Sequence, residues 1–105
     1  MITSWRSDML LHTLNSSAQS AATRNCCDLL TAQDTVILFG DGVYAGLEGC
    51  ATSQLLRDSG AAIFALAPDV DAAGIGTKLA TGVSLIDYAQ FVTISAKYPG
   101  QMAWY

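Results

Sequence analysis

Apolar residues fall along this chain in short runs separated by turn-forming residues, and the runs alternate between two periods. Residues 36–39, Val-Ile-Leu-Phe, form an unbroken apolar run. Such a run suits a strand covered on both faces, as in a parallel sheet. Gly40-Asp41-Gly42 stops it. Upstream, residues 9–14 predict a first strand containing His12, closed by the cap-forming side chains of Asn15, Ser16 and Ser17. A helical period follows over residues 17–30, with Ala18, Ala22, Cys26, Leu29 and Leu30 sharing one face. Residues 31–34 turn the chain into the central strand.

Beyond Gly42, residues 43–47 read as an irregular loop, because Gly46 and Gly49 weaken any helix there. Residues 52–58 predict a helix ended by Ser59-Gly60. A third strand covers residues 61–67 and stops at Pro68. A short helix over 69–73 ends at Gly74 and Gly76. After a loop, residues 83–86 form a fourth strand, and Asp87 opens a helix to about Lys97, with Tyr88, Phe91, Val92 and Ser95 at helical spacing. Pro99-Gly100 breaks it, leaving residues 101–105 as an aromatic tail. The order β-α-β-α-β-α-β-α predicts a single small α/β domain. Its mainly parallel sheet has four to five strands, with helices on both faces. Right-handed crossovers follow.

Composition changes the picture in one respect. Of 105 residues, 51% are hydrophobic and only 13% charged, against roughly 25% charged in an average domain. A domain of this size has a large surface for its volume. Part of that surface is therefore expected to lie against other subunits. No apolar window approaches the ~18 residues of a membrane span. Residues 1–8 are mixed and polar, without a signal-peptide layout. They read as an extension before a domain over residues 9–105, with Met9 as an alternative start. A cytoplasmic, membrane-free location is expected. The net charge of -4, with no basic cluster, argues against direct, tight nucleic-acid binding.

Candidate chemistry is sparse. Asp41, Asp69 and Asp87 each follow a strand, so a parallel sheet brings them to one edge. Converging carboxylates suit Mg²⁺, yet Asp69 and Asp87 read more simply as helix N-caps. Asp41, between two glycines, is a candidate to fix its loop by an Asx-type bond. The glycines at 40, 42, 46 and 49 hint at a phosphate cradle, but match neither a dinucleotide fingerprint nor a Walker pattern. No cofactor and no metal site is expected. Cys26, Cys27 and Cys50 are an odd set with two adjacent, not a disulfide framework. Cys26 falls on the apolar helix face and reads as a core residue. Cys50 is expected to be more exposed. His12 reads as a hydrogen-bonded core residue. Tyr44 and Trp104 are of the types favoured at interface centres.

Four segments carry a family resemblance. Leu-His-Thr-Leu-Asn-Ser-Ser at 11–17, Ile-Leu-Phe-Gly-Asp-Gly-Val-Tyr-Ala at 37–45, Leu-Ile-Asp-Tyr at 85–88 with Phe91-Val92, and Gln-Met-Ala-Trp at 101–104 resemble the TusB/DsrH family. The likeness runs from about Met9 to the C-terminus. It implies a DsrE-like fold and one subunit of a heterohexamer with TusC-like and TusD-like chains. In that family sulfur arrives from a TusA-like donor, moves onto a cysteine of the TusD-type subunit and passes to a TusE-like acceptor. The end product is 2-thiouridine at the tRNA wobble position. In sulfur-oxidising relatives a DsrEFH complex exchanges sulfur with DsrC. Some DsrH-like members carry a cysteine in the helix before the central strand, a position Cys26 matches by spacing. The ending Gln-Met-Ala-Trp is closer to the TusB branch. The resemblance thus implies a mainly structural subunit of a sulfurtransferase complex. The alternatives are a sulfur carrier using Cys26 and a small nucleotide- or phosphate-binding module.

Overall fold

The computed structural model describes residues 9–104. The expected extension at 1–8 and the last tail residue, Tyr105, lie outside the described residues. Five strands make one sheet: β1 (Leu10–Leu14), β2 (Thr35–Leu38), β3 (Ala62–Leu66), β4 (Val83–Ile86) and β5 (Gly100–Trp104). Their order is β4-β3-β2-β1-β5, and every neighbouring pair is parallel. The helices are α1 (Ala21–Leu29), α2 (Ala51–Asp58), α3 (Ala67–Ala73) and α4 (Tyr88–Ala96). The α/β architecture with a mainly parallel sheet is as the sequence predicts.

The register explains the core. One row across the sheet is His12, Val36, Ile63, Val83 and Met102, and two residues on comes Leu14, Leu38, Ala65, Leu85 and Trp104. Side chains alternate along a strand, so these rows share a face. Against it pack Cys26 of α1, Leu56 of α2 and Val70 of α3. The opposite face presents Leu11, Ile37, Phe64 and Ile86, and among the described residues Phe91 and Ile94 of α4, with Tyr98 just after it, pack there. The chain steps one way from β1 to β4 and then jumps back past β1, which sends α4 to the far face. Three helices thus lie over one face and one over the other.

Several boundaries differ from the sequence reading, each for a local reason. α1 begins at Ala21 because Ser20, not Ser17, is its N-cap, with Oγ accepting the Thr23 amide. Ser17 instead offers its carbonyl to Thr23 Oγ1 at 2.6 Å. Leu29, expected on the buried face, is 46% exposed. Residues Gly40–Gly46 are not irregular but a 3-10 helix. Pro68 stands in the first turn of α3, where its missing N–H costs nothing. The tail is a fifth strand, paired along its length with β1.

Candidate functional site

The carboxyl ends of the strands share one edge, where ligands and partners of open α/β sheets gather. The Gly40–Gly46 turn sits there because Gly40 adopts φ +54° and Gly42 runs against β1. A Cβ on Gly42 would collide with the Leu14 carbonyl. That carbonyl already accepts the Phe39 amide at 3.1 Å. The turn is therefore packed backbone to backbone on the end of β1.

A second tie comes from α3. Asp69 Oδ2 accepts the Gly40 amide at 2.7 Å. The N-cap of α3 is Leu66, so the N-cap reading of Asp69 is corrected: its carboxylate holds the neighbouring loop instead. The Asx reading of Asp41 is corrected too. Its carboxylate makes no hydrogen bond among the described residues, and the side chain is exposed. Asp87 does cap α4, in a full capping box with Gln90.

Gly40, Asp41, Tyr44, Asp69, Ala72 and Ala73 line a surface cleft of ≈ 230 Å³. That is below the ~300 Å³ at which small-molecule pockets usually begin. Its charged groups are two carboxylates, with no lysine, arginine or histidine in its lining. An anionic phosphate would meet repulsion there, not a cradle. Tyr44 is 40% exposed at its rim. No group of three or more His, Cys, Asp or Glu among the described residues could hold a metal ion. No helix among them is long and apolar enough to cross a membrane.

The three thiols are unequal. Cys26 is fully buried, and burial, then Cys27 and Asp34, push its thiol up to about 12. Asp34 precedes β2, so Cys26 lies towards the amino edge of the sheet, away from the Gly40 turn. Cys27 is also raised, first by burial and then by Asp28. Cys50 is partly exposed at the N-cap position of α2, on the carboxyl edge. Alkylation of the folded chain with iodoacetamide should therefore modify Cys50 first, Cys27 more slowly and Cys26 only on unfolding. Peptide mass spectrometry over time reads this order; early labelling of Cys26 would contradict it.

A buried polar relay went unread as a set. His12, Asp34 and Trp104 come together from β1, the turn before β2 and β5. Trp104 Nε1–H donates to His12 Nδ1 at 3.1 Å. An indole N–H can only donate, so Nδ1 accepts and the imidazole proton sits on Nε2. That proton is donated to Asp34 Oδ2, 3.1 Å away. His12 is thus a bonded core residue, as the sequence suggests, and Trp104 is half-buried on the core rather than wholly at the surface. The one signal for Asp34 was an acidic residue directly before a buried strand.

These features define a small all-parallel α/β domain whose edge carries a tight glycine turn and a shallow acidic cleft. Solved structures share the fold. The ychN protein from E. coli superposes with a TM-score of 0.73 at 16% identity, over 92% of this chain and 98% of that one. Protein Tm0979 from Thermotoga maritima does so at 0.64 and 21%, over 85% and 93%. In sequence, the family described as DsrH like protein matches residues 15–101. Protein TusB of Salmonella arizonae and of Salmonella typhimurium are each 38% identical over 95 residues, 90% of this chain and 100% of theirs. The chain belongs to the DsrH-like family.

Proposed function

We propose that this chain is a sulfur-relay subunit of the TusB kind, supporting persulfide transfer towards 2-thiolation of the tRNA wobble uridine. The observation that carries this reading is the 38% identity to Protein TusB along that relative's entire length. In this reading it joins TusC-like and TusD-like subunits in a heterohexamer in the cytoplasm, and its role is assembly rather than chemistry. A TusA-like donor and a TusE-like acceptor exchange sulfur with the complex, on a cysteine of the TusD-like partner. The domain proper begins at Met9.

The thiols support the assembly role. A persulfide carrier needs a reachable thiolate, and Cys26 is fully buried with its thiol pushed up. Burial thus weighs against a DsrH-like carrier built on Cys26. The apolar surface supports it as well: Tyr44, Leu55, Leu85, Tyr88 and Val92 are exposed, where a lone domain of this size would favour charge.

Complementation tests the reading. In cells lacking their own TusB, this chain with its TusC-like and TusD-like partners should restore wobble 2-thiouridine, measured by mass spectrometry of tRNA nucleosides. Cys26→Ser should restore it equally. No restoration by the unaltered chain would overturn the sulfur-relay reading. Loss confined to a folded Cys26→Ser variant would replace assembly with sulfur carriage.

A further inference from the structure

We infer that the edge strand β5 is held by a proton-sensitive latch, closed while His12 is neutral and opened when protonation of His12 expels the Trp104 indole. The donor set imposes this. An indole N–H donates and never accepts, and Trp104 Nε1–H points at His12 Nδ1 from 3.1 Å. The other ring nitrogen, Nε2, faces Asp34 Oδ2 at 3.1 Å. A neutral imidazole satisfies both contacts, as acceptor on one side and donor on the other. An imidazolium carries N–H on both nitrogens, so one of them must confront the indole N–H. Flipping the ring changes which nitrogen does so and nothing else.

The surroundings decide what moves. Asp34 is fixed by two further donors, the Leu10 amide on Oδ1 and the Thr31 amide on Oδ2. Its carboxylate holds an imidazolium more strongly than a neutral ring. His12 has no exposed surface, and its strand lies between β2 and β5. Among the described residues the other titratable groups near the pair belong to α1. The Cys26 thiol is pushed up to about 12, first by burial and then by Cys27 and Asp34. Cys27 is raised as well, first by burial and then by Asp28. Both thiols are therefore uncharged at neutral pH and below, and neither adds charge there. Trp104 is the piece that can leave, because it is half-buried and stands on the edge strand, beyond β1.

The effect reaches the carboxyl edge of the sheet. The Trp104 carbonyl accepts the Asn15 amide at 3.1 Å, and the Asn15 side chain occupies the space over Gly40. Expulsion of the indole thus loosens a support of the turn that carries Tyr44. A histidine is the side chain whose charge changes near neutral pH, so the latch reads protons where a carboxylate or a thiol would not.

NMR of the full chain from about pH 8 to about pH 5, a window above the ordinary carboxylate range, tests this. The imidazole nitrogen shifts should report the Nε2–H tautomer at the alkaline end and a titration of His12 on the way down. Over that step the Trp104 indole N–H should lose protection about tenfold, as for one lost hydrogen bond. The β5 amides should lose protection with the same midpoint, once exchange is corrected for its own pH dependence. Trp104→Phe, at a half-buried position, removes the donor that opposes protonation of Nδ1. Its His12 midpoint should move to higher pH while the amides of β2 and β3 keep their protection. The titration of the unaltered chain decides by itself should that variant not fold. A His12 that stays neutral until the whole chain unfolds, a His12 that titrates while Trp104 and β5 keep their protection, or a folded Trp104→Phe variant whose midpoint is unmoved or lower overturns the inference. tRNA thiolation is a separate readout, so this inference and the sulfur-relay reading fail independently.

Discussion

Replacing Gly42 with alanine should destabilise the protein by about 3 kcal/mol or more, at the upper end of overpacking effects. The added methyl would land on the Leu14 carbonyl oxygen, with Leu14 C and Asn15 Cα close behind. All three are backbone atoms at the end of the most enclosed strand pair, so none can swing aside as a side chain does. Leu14 O also accepts the Phe39 amide. Moving it pulls on the exit of β2 at the same time. Gly40→Ala is the informative contrast. There the new Cβ meets Asn15 Oδ1, the end of a side chain that can turn away. What remains is the left-handed φ of +54°, a cost of about 1 kcal/mol. Urea unfolding of both variants should rank Gly42→Ala well below Gly40→Ala. Equal losses would mean the turn gives way as a unit and the backbone contact does not govern it.

That contrast also marks how far the sequence could be read. Four strands and the four helices announce themselves by period and by punctuation, which local residues carry. β5 does not. Gly-Gln-Met-Ala-Trp has neither β-branched residues nor alternation, and it becomes a strand only because β1 offers it a partner and Trp104 reaches His12. Its stability lies in long-range contact, which no local window contains. The Gly40–Gly46 turn is a similar case. Its glycines read as looseness, yet one of them is there for close approach, a fact that depends on where β1 ends.

The acidic residues show the same division. Asp87 is legible because its partner, Gln90, lies three residues on and the capping box is local. Asp69 has the same apparent context, a carboxylate just after a strand, but its partner is Gly40, in the turn after the neighbouring strand. Which of two carboxylates caps its helix and which holds a loop is decided by the order of strands, and strand order is a tertiary fact. The thiols follow suit: the helical wheel correctly put Cys26 inside, while its proximity to Asp34 became apparent only once α1 lay on β2.

Asp34→Ala should cost about 3–5 kcal/mol, because three donors lose their acceptor at once, out of a total of roughly 5–15 kcal/mol for a small domain. Asp34 is 2% exposed. One oxygen accepts the Leu10 amide at 3.1 Å. The other accepts the Thr31 amide and His12 Nε2–H, each at 3.1 Å. Alanine takes the acceptor from the buried His12 Nε2–H and from the part-buried Leu10 and Thr31 amides, at about 1–3 kcal/mol for a fully buried donor and less where water can reach. It also removes one of the bonds holding the imidazole on which Trp104 rests, so the loss should reach β5. Trp104→Phe is the graded counterpart: it removes one donor, the indole N–H to His12 Nδ1, at about 1–2 kcal/mol. Hydrogen exchange distinguishes the relay from three independent bonds. Asp34→Ala should speed exchange of the β5 amides as well as those of Leu10 and Thr31, because the bond from His12 links Asp34 to the imidazole on which Trp104 rests. If β5 keeps its protection while Leu10 and Thr31 lose theirs, the strand is held by its pairing with β1 alone, and the imidazole transmits nothing.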